Sequence, residues 1–118
     1  MEVKINSTGD WLWAEYDNMT VQSENDNYLL HVTGYHGNAG DAFHHNRGQF
    51  AADGKQFSTR DVDNDENPNG NCAAVQGGGW WYGWCSSSRL NSGSKPTWFA
   101  SSKNVVSASR MMLQCISG

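Results

Sequence analysis

Two cysteines, Cys72 and Cys85, bracket three consecutive glycines, Gly77-Gly78-Gly79, and a knot of aromatic residues, Trp80, Trp81, Tyr82 and Trp84. A bridge between them would close a small loop, which chain-entropy arguments value at on the order of 3 kcal/mol. The alternative is a pair of free buried thiols in a cytosolic domain. Composition speaks for the bridge: the chain has 118 residues with 13 Gly and 6 Trp, is poor in Leu and Ile, and carries two glycosylation sequons, Asn6-Ser7-Thr8 and Asn18-Met19-Thr20. Small, loop-rich chains of this kind are extracellular disulfide scaffolds. The third thiol, Cys115, is left over; it is unpaired, joined to another chain, or separated from its partner.

Just before the first cysteine runs an acidic comb, Asp61, Asp63 and Asp65, followed by Glu66-Asn67-Pro68-Asn69-Gly70. Three crowded carboxylates repel one another unless a cation joins them. Hard oxygen donors packed among turn-forming residues suit calcium, which takes six to eight oxygens at about 2.3–2.6 Å. An EF-hand is excluded, because counting from Asp61 its sixth and twelfth positions hold Glu66 and Cys72 rather than Gly and Glu.

The rest of the chain sets limits. A net charge of −4 leaves no footprint for nucleic acid. No apolar run approaches the roughly 20 residues that span a bilayer, and Met1-Glu2-Val3-Lys4 opens no signal peptide, so an export signal is expected outside this sequence. Residues 11–35 read as two antiparallel strands with aromatic residues in the core, separated by a polar turn from Gln22 to Asn27, with His31 a structural residue in the second strand. Gly34 to Phe50 reads as a turn and a short helix, with Asp41 accepting backbone N–H groups at its start. His44 and His45 on that helix point about 100° apart and do not share a metal ion, and His36 has no partner of defined spacing. Asp53-Gly54 marks a turn between Phe50 and Phe57. No nucleophile signature such as G-x-S-x-G occurs, and the chain is not expected to be an enzyme.

The order Gly34-Tyr35, Gly37-Asn38-Ala39-Gly40-Asp41-Ala42-Phe43, Phe57-Ser58-Thr59, Asp61 to Asp65, Asn71-Cys72-Ala73, Gly79-Trp80-Trp81-Tyr82, Cys85 and Leu90-Asn91 resembles the fibrinogen-like domain of fibrinogen chains, ficolins, tenascins, angiopoietins and invertebrate lectins. The resemblance runs from about Trp11 to Met112 and corresponds to the second part of that domain, as in a fragment or a naturally shortened relative. It implies an α+β fold with a small antiparallel sheet, short helices and a loop-rich calcium and disulfide subdomain. The whole, residues 1–118, would be one domain, with the central-sheet part at about 1–56 and 99–118 and the subdomain at about 57–98; Met111-Met112-Leu113 resembles the final strand of the sheet.

The resemblance further implies a disulfide between Cys72 and Cys85, and a calcium ion held by the Asp63 and Asp65 side chains and by carbonyls of Asn67 and of Asn69 or Gly70. It implies a cis peptide at Trp84-Cys85 beside a ligand pocket, which in the family accepts acetyl groups or a peptide N-terminus. The residues available for that pocket are Gln76, Trp81, Tyr82, Trp84 and Ser86, with Trp98 behind them; Ser86 stands where a His is common, and the loop after Asn91 is short. The expected function is a secreted, calcium-stabilised recognition domain, lectin-like towards acetylated or other glycans. The alternative is a protein-interaction module that docks a receptor or matrix. Single sugar sites are weak, so useful avidity would need several linked copies, for which an oligomer is one route.

Overall fold

The computed structural model describes residues 2–5, 9–44, 50–93, 96–98 and 106–114. In chain order the strands are β1 (Glu2–Ile5), β2 (Trp11–Val21), β3 (Leu30–Gly37), β4 (Phe57–Ser58), β5 (Trp80–Trp81), β6 (Ser88–Arg89), β7 (Thr97–Trp98) and β8 (Val106–Arg110), with one short helix, α1 (Cys72–Gln76). Four of them form an antiparallel sheet in the order β3-β2-β1-β8, while β4 pairs with β5 and β6 with β7. This is the α+β arrangement with small antiparallel sheets and little helix.

The long hairpin β2–β3 follows from residue type. Branched and aromatic side chains favour the pleated surface, and the register runs from Ala14 opposite Gly37 to Val21 opposite Leu30. Along β2, Ala14 is buried and Leu12, Tyr16 and Met19 are partly buried, while on β3 Leu30 and Val32 are fully buried. A 3₁₀ turn at Glu24–Asp26 closes the hairpin. Trp11 and Trp13 are not core: both lie on the outer face, 46% and 43% exposed, where Arg110 stacks over the Trp11 ring at 4.9 Å. Alternation distinguished the two faces of β2 without saying which is covered. His31 also faces outward, between buried Leu30 and Val32. His36 does have a partner, Asp17 across the hairpin, at 3.1 Å; only strand pairing brings these two together.

β3 ends the sheet, and its outer edge is covered. Leu30 N–H donates to the Lys55 carbonyl at 3.0 Å, Gly54 N–H donates to the Leu30 carbonyl at 2.8 Å, and Val32 N–H donates to Asp53 Oδ1 at 2.9 Å. The turn at 51–55 thus satisfies backbone groups that would otherwise template another strand. His44 completes the cover. Its Nε2 reaches the Val32 carbonyl at 2.9 Å and Asp53 Oδ2 at 3.2 Å, and its Nδ1 reaches Asp41 Oδ2 at 2.7 Å. Both ring nitrogens therefore face acceptors, an arrangement that favours the doubly protonated ring.

Gly34 to Gly37 complete β3 and Asn38 to His44 form bends and turns, so among the described residues the segment shows no helix where one was expected; His45 to Gln49 lie outside the described residues. Asp41 is committed to side chains rather than to a helix start: it accepts from the Tyr16 hydroxyl at 2.7 Å as well as from His44. Burial first, and that carboxylate second, push the Tyr16 phenol far above its ordinary range. β8 ends at Arg110, opposite Glu2 at the start of β1, so the ladder stops there and Met111, Met112 and Leu113 are exposed beyond it. The resemblance placed the final strand a few residues too late. Cys115 lies outside the described residues.

Two predictions follow from this geometry. Gly37 has φ of +144°, and a Cβ there would sit 2.2 Å from the Trp13 carbonyl oxygen, which already accepts from Asn38 and Ala39. Gly37→Ala should lower the stability measured by urea unfolding by about 2 kcal/mol or more; an unchanged midpoint would contradict this account of the strand end. For His44, burial depresses protonation, but Asp41, Asp53 and the Val32 carbonyl outweigh it and raise the pKa. A raised folded pKa gives stability that is complete below the unfolded value of about 6.5 and disappears as pH climbs through the folded value. His44→Gln should therefore lower Tm more at acidic pH than in alkaline buffer, and an equal loss in both would refute the charged ring.

Candidate functional site

The acidic turn is built by side chains folding back onto backbone. Asp63 Oδ1 accepts from Asp65 N–H at 3.2 Å, Asp65 Oδ1 from Asn67 N–H at 2.9 Å, and Asn67 Oδ1 from Asn69 N–H at 3.0 Å. Each is an Asx turn, the local bond that makes Asp and Asn turn formers. Asp65 does more, because its Oδ2 accepts from Cys72 N–H at 2.7 Å and so ties the acidic turn to the first residue of α1. Partial burial, and the neighbouring Asp63 carboxylate, raise the Asp65 pKa against the lowering effect of its two N–H donors. Asp61 is apart from this set: its carboxylate accepts from the Thr59 hydroxyl at 2.8 Å, which lowers its pKa.

Among the described residues no three His, Cys, Asp or Glu side chains gather in a metal-binding cluster. The set implied by the resemblance has only two carboxylates, those of Asp63 and Asp65, with carbonyls at Asn67 and Gly70 supplying the rest. Those are hard oxygen donors, carried on one turn whose side chains point back towards its own backbone, and they fit calcium chemistry rather than that of a thiolate- or imidazole-seeking metal.

Cys72 and Cys85 are joined by a disulfide, with Cα atoms 5.6 Å apart. α1 starts where Asn71 Oδ1 accepts from Ala74 N–H at 3.2 Å and ends at Gly77 in the left-handed conformation, an ordinary pair of caps for so short a helix. The Trp84-Cys85 peptide bond is cis. Trp80 is buried, with its indole N–H donating to Ser88 Oγ at 3.2 Å, and Trp98 is buried too, donating to the Gly40 carbonyl at 2.8 Å. Trp98 is thus a core residue and not part of a pocket wall.

The five residues expected at the ligand pocket sit in different surroundings. Ser86 is buried and its hydroxyl oxygen accepts from Ser88 N–H at 3.2 Å. Tyr82 donates its hydroxyl to the Gly78 carbonyl at 2.7 Å, and burial pushes its pKa up to about 12 against the opposing charge of Arg89. Gln76 accepts through Oε1 from the Arg89 guanidinium. Trp84 is 42% exposed. Trp81 and Tyr82 line two different clefts. The first is an open cavity of about 310 Å³ formed by Val21, Tyr28, Phe57 and Trp81. The second, of about 280 Å³, is lined by residues including Lys55, Asn64, Glu66 and Tyr82, with Lys55 and Glu66 paired at 2.7 Å. Sequence reasoning missed Arg89, although it is the one basic residue between Cys72 and Asn91. It also missed Val21 and Tyr28, which meet Trp81 only through the hairpin.

Comparison with known proteins agrees with this architecture. The family model for the C-terminal globular domain of fibrinogen beta and gamma chains matches residues 1–108. Human fibroleukin is 45% identical over 80 residues, covering 68% of this chain and 18% of fibroleukin. The fibrinogen-like globe domain of human ANGPTL2 superposes with a TM-score of 0.72 at 34% identity, over 89% of this chain and 51% of that one. Lamprey fibrin D-dimer, solved with the peptide ligand Gly-His-Arg-Pro-amide, gives a TM-score of 0.67 at 30% identity over 76% of this chain and 30% of its own. The chain thus spans well under two thirds of the length of these relatives. With strands, disulfide and sequence all in agreement, the chain belongs to the family of fibrinogen C-terminal globular domains.

Proposed function

We propose that this chain is an extracellular recognition domain that binds a protein partner through the exposed surface of its disulfide-closed loop. One observation carries the reading: the polar groups best placed to orient a sugar, on Gln76, Tyr82 and Ser86, already bond to Arg89, Gly78 and Ser88, while Trp84 keeps 42% of its surface in water. Exposed tryptophan on a rigid support is the usual anchor of a protein interface. A lectin site needs free hydrogen-bonding groups beside its aromatic face. The disulfide supports an oxidising compartment, and among the described residues no helix is long and apolar enough to cross a membrane. The peptide held by lamprey fibrin supports peptide recognition on this fold. Lectin-like binding of acetylated glycans is the second reading, favoured by the aromatic content of the same loop.

Calcium belongs to this proposal as a structural ion. Asp63 and Asp65, with carbonyls of Asn67 and Gly70, would hold it, and the bond from Cys72 N–H to Asp65 would carry its stabilising effect into the disulfide loop. Binding to the folded state alone adds about 2.7 kcal/mol at 100 times the dissociation constant.

Asp63→Asn keeps an oxygen for the Asp65 N–H and removes one charge. The variant should match the parent's Tm in chelator and lose the rise in Tm that calcium gives the parent; a full calcium response in the variant would exclude Asp63 as a ligand. For the partner, the biotinylated chain, made tetravalent on streptavidin to supply avidity, should stain cells in a manner removed by surface proteolysis and by Trp84→Ala, at unchanged Tm. Staining that resists protease but yields to glycosidase or free N-acetylhexosamine would establish the lectin reading instead.

A further inference from the structure

The cleft formed by Val21, Tyr28, Phe57 and Trp81 takes only Trp81 from the disulfide-closed loop and has its own construction. Phe57 and Trp81 pair across β4 and β5 and stand edge to face, with centroids 5.2 Å apart and planes at 72°, which gives the cleft a rigid corner of two aromatic rings. Tyr28 supplies a third ring in an unusual way. It and Asn27 both have left-handed backbones, φ +57° and +52°, a conformation that bulky residues avoid. Five hydrogen bonds hold them there: Asn27 N–H to the Glu24 carbonyl at 2.9 Å, Tyr28 N–H to the Ser23 carbonyl at 3.1 Å, Phe57 N–H to the Asn27 carbonyl at 2.9 Å, Asn27 Nδ2 to Gln56 Oε1 at 3.2 Å, and the Trp81 indole N–H to the Tyr28 carbonyl at 3.0 Å. The third wall of the cleft is thus fixed by the residue that forms its corner, and the indole N–H is used in doing so.

We propose that this cleft is an aromatic cage for a quaternary ammonium group. Three aromatic side chains line one open space of about 310 Å³, and aromatic rings attract a cation through their quadrupoles. The turn that presents Tyr28 also carries Glu24 and Asp26, both exposed, whereas the nearby cation Lys55 is paired with Glu66 at 2.7 Å. That charge balance favours a cationic guest. The four lining side chains favour one without N–H groups: a primary ammonium has three donors to satisfy, and a wall of Val, Phe, Trp and Tyr leaves them largely unsatisfied, whereas a trimethylammonium presents only methyl groups. The ligand is a soluble choline-type headgroup rather than a bilayer surface, whose phosphates the acidic turn would repel.

The test follows the Trp81 indole N–H resonance during titration with choline chloride against a sodium chloride control. Saturable movement is expected, with about tenfold weaker binding of 3,3-dimethylbutan-1-ol, the neutral isostere, and of ethanolamine. Tyr28→Leu, which keeps apolar contact and removes a ring, should weaken choline about tenfold. Glu24→Gln with Asp26→Asn, both at the surface, should weaken it severalfold and flatten its salt dependence. Equal affinity for the neutral isostere, undiminished binding by Tyr28→Leu, no saturable movement, or binding of phosphatidylcholine vesicles without binding of free choline would each overturn the cage.

Discussion

Phe43 stands between two tryptophans from distant parts of the chain, 5.1 Å from Trp98 and 6.0 Å from Trp80 between ring centroids, with Tyr16 of the main sheet 5.2 Å away on another side. Each such contact contributes about 0.5–1.5 kcal/mol beyond simple burial. More important is what they join. Tyr16 belongs to β2, Trp80 to β5 and Trp98 to β7, so one cluster of rings connects the four-stranded sheet to both two-residue ladders. Ladders that short do not stand alone in water; they persist because their tryptophans are buried in a common core.

Around that core, side chains do much of the work that regular secondary structure does elsewhere. Asp53 and His44 cover the edge of β3, Asp65 fastens the acidic turn to α1, and Asn64 bonds to Phe57 through its amide while its own N–H reaches Ser58. Buried backbone groups must be paired, and where strands are two residues long Asp, Asn and His supply the partners. The high content of Asp, Asn and Ser in this chain is therefore structural as much as it is solubilising.

The hairpin and the disulfide loop were legible because their signals are local: alternation over β2 and β3, and two cysteines around a glycine-rich segment. Resemblance supplied the cis bond at Trp84-Cys85. That the described residues from Asp41 to His44 form turns was not legible, because Asp41 fits a helix start by type and only the folded chain shows Tyr16 and His44 taking its oxygens. Trp11 and Trp13 could not be placed outside from alternation, which separates faces but does not say which one is buried. The Tyr28 cleft joins residues from three segments, and no periodicity connects Val21, Phe57 and Trp81. The site's polar groups were legible by type, while their mutual satisfaction was not.

The sheet order β3-β2-β1-β8 places a strand from the beginning of this sequence beside one from its end, with Glu2 opposite Arg110. The β2–β3 hairpin can close from neighbouring residues as soon as they leave the ribosome. β1 has no outer partner until residues 106–110 emerge, and pairings so far apart in sequence are slow to form. Until that pairing forms, β1 keeps one side of its backbone open, so this segment is where mispairing between neighbouring chains would begin.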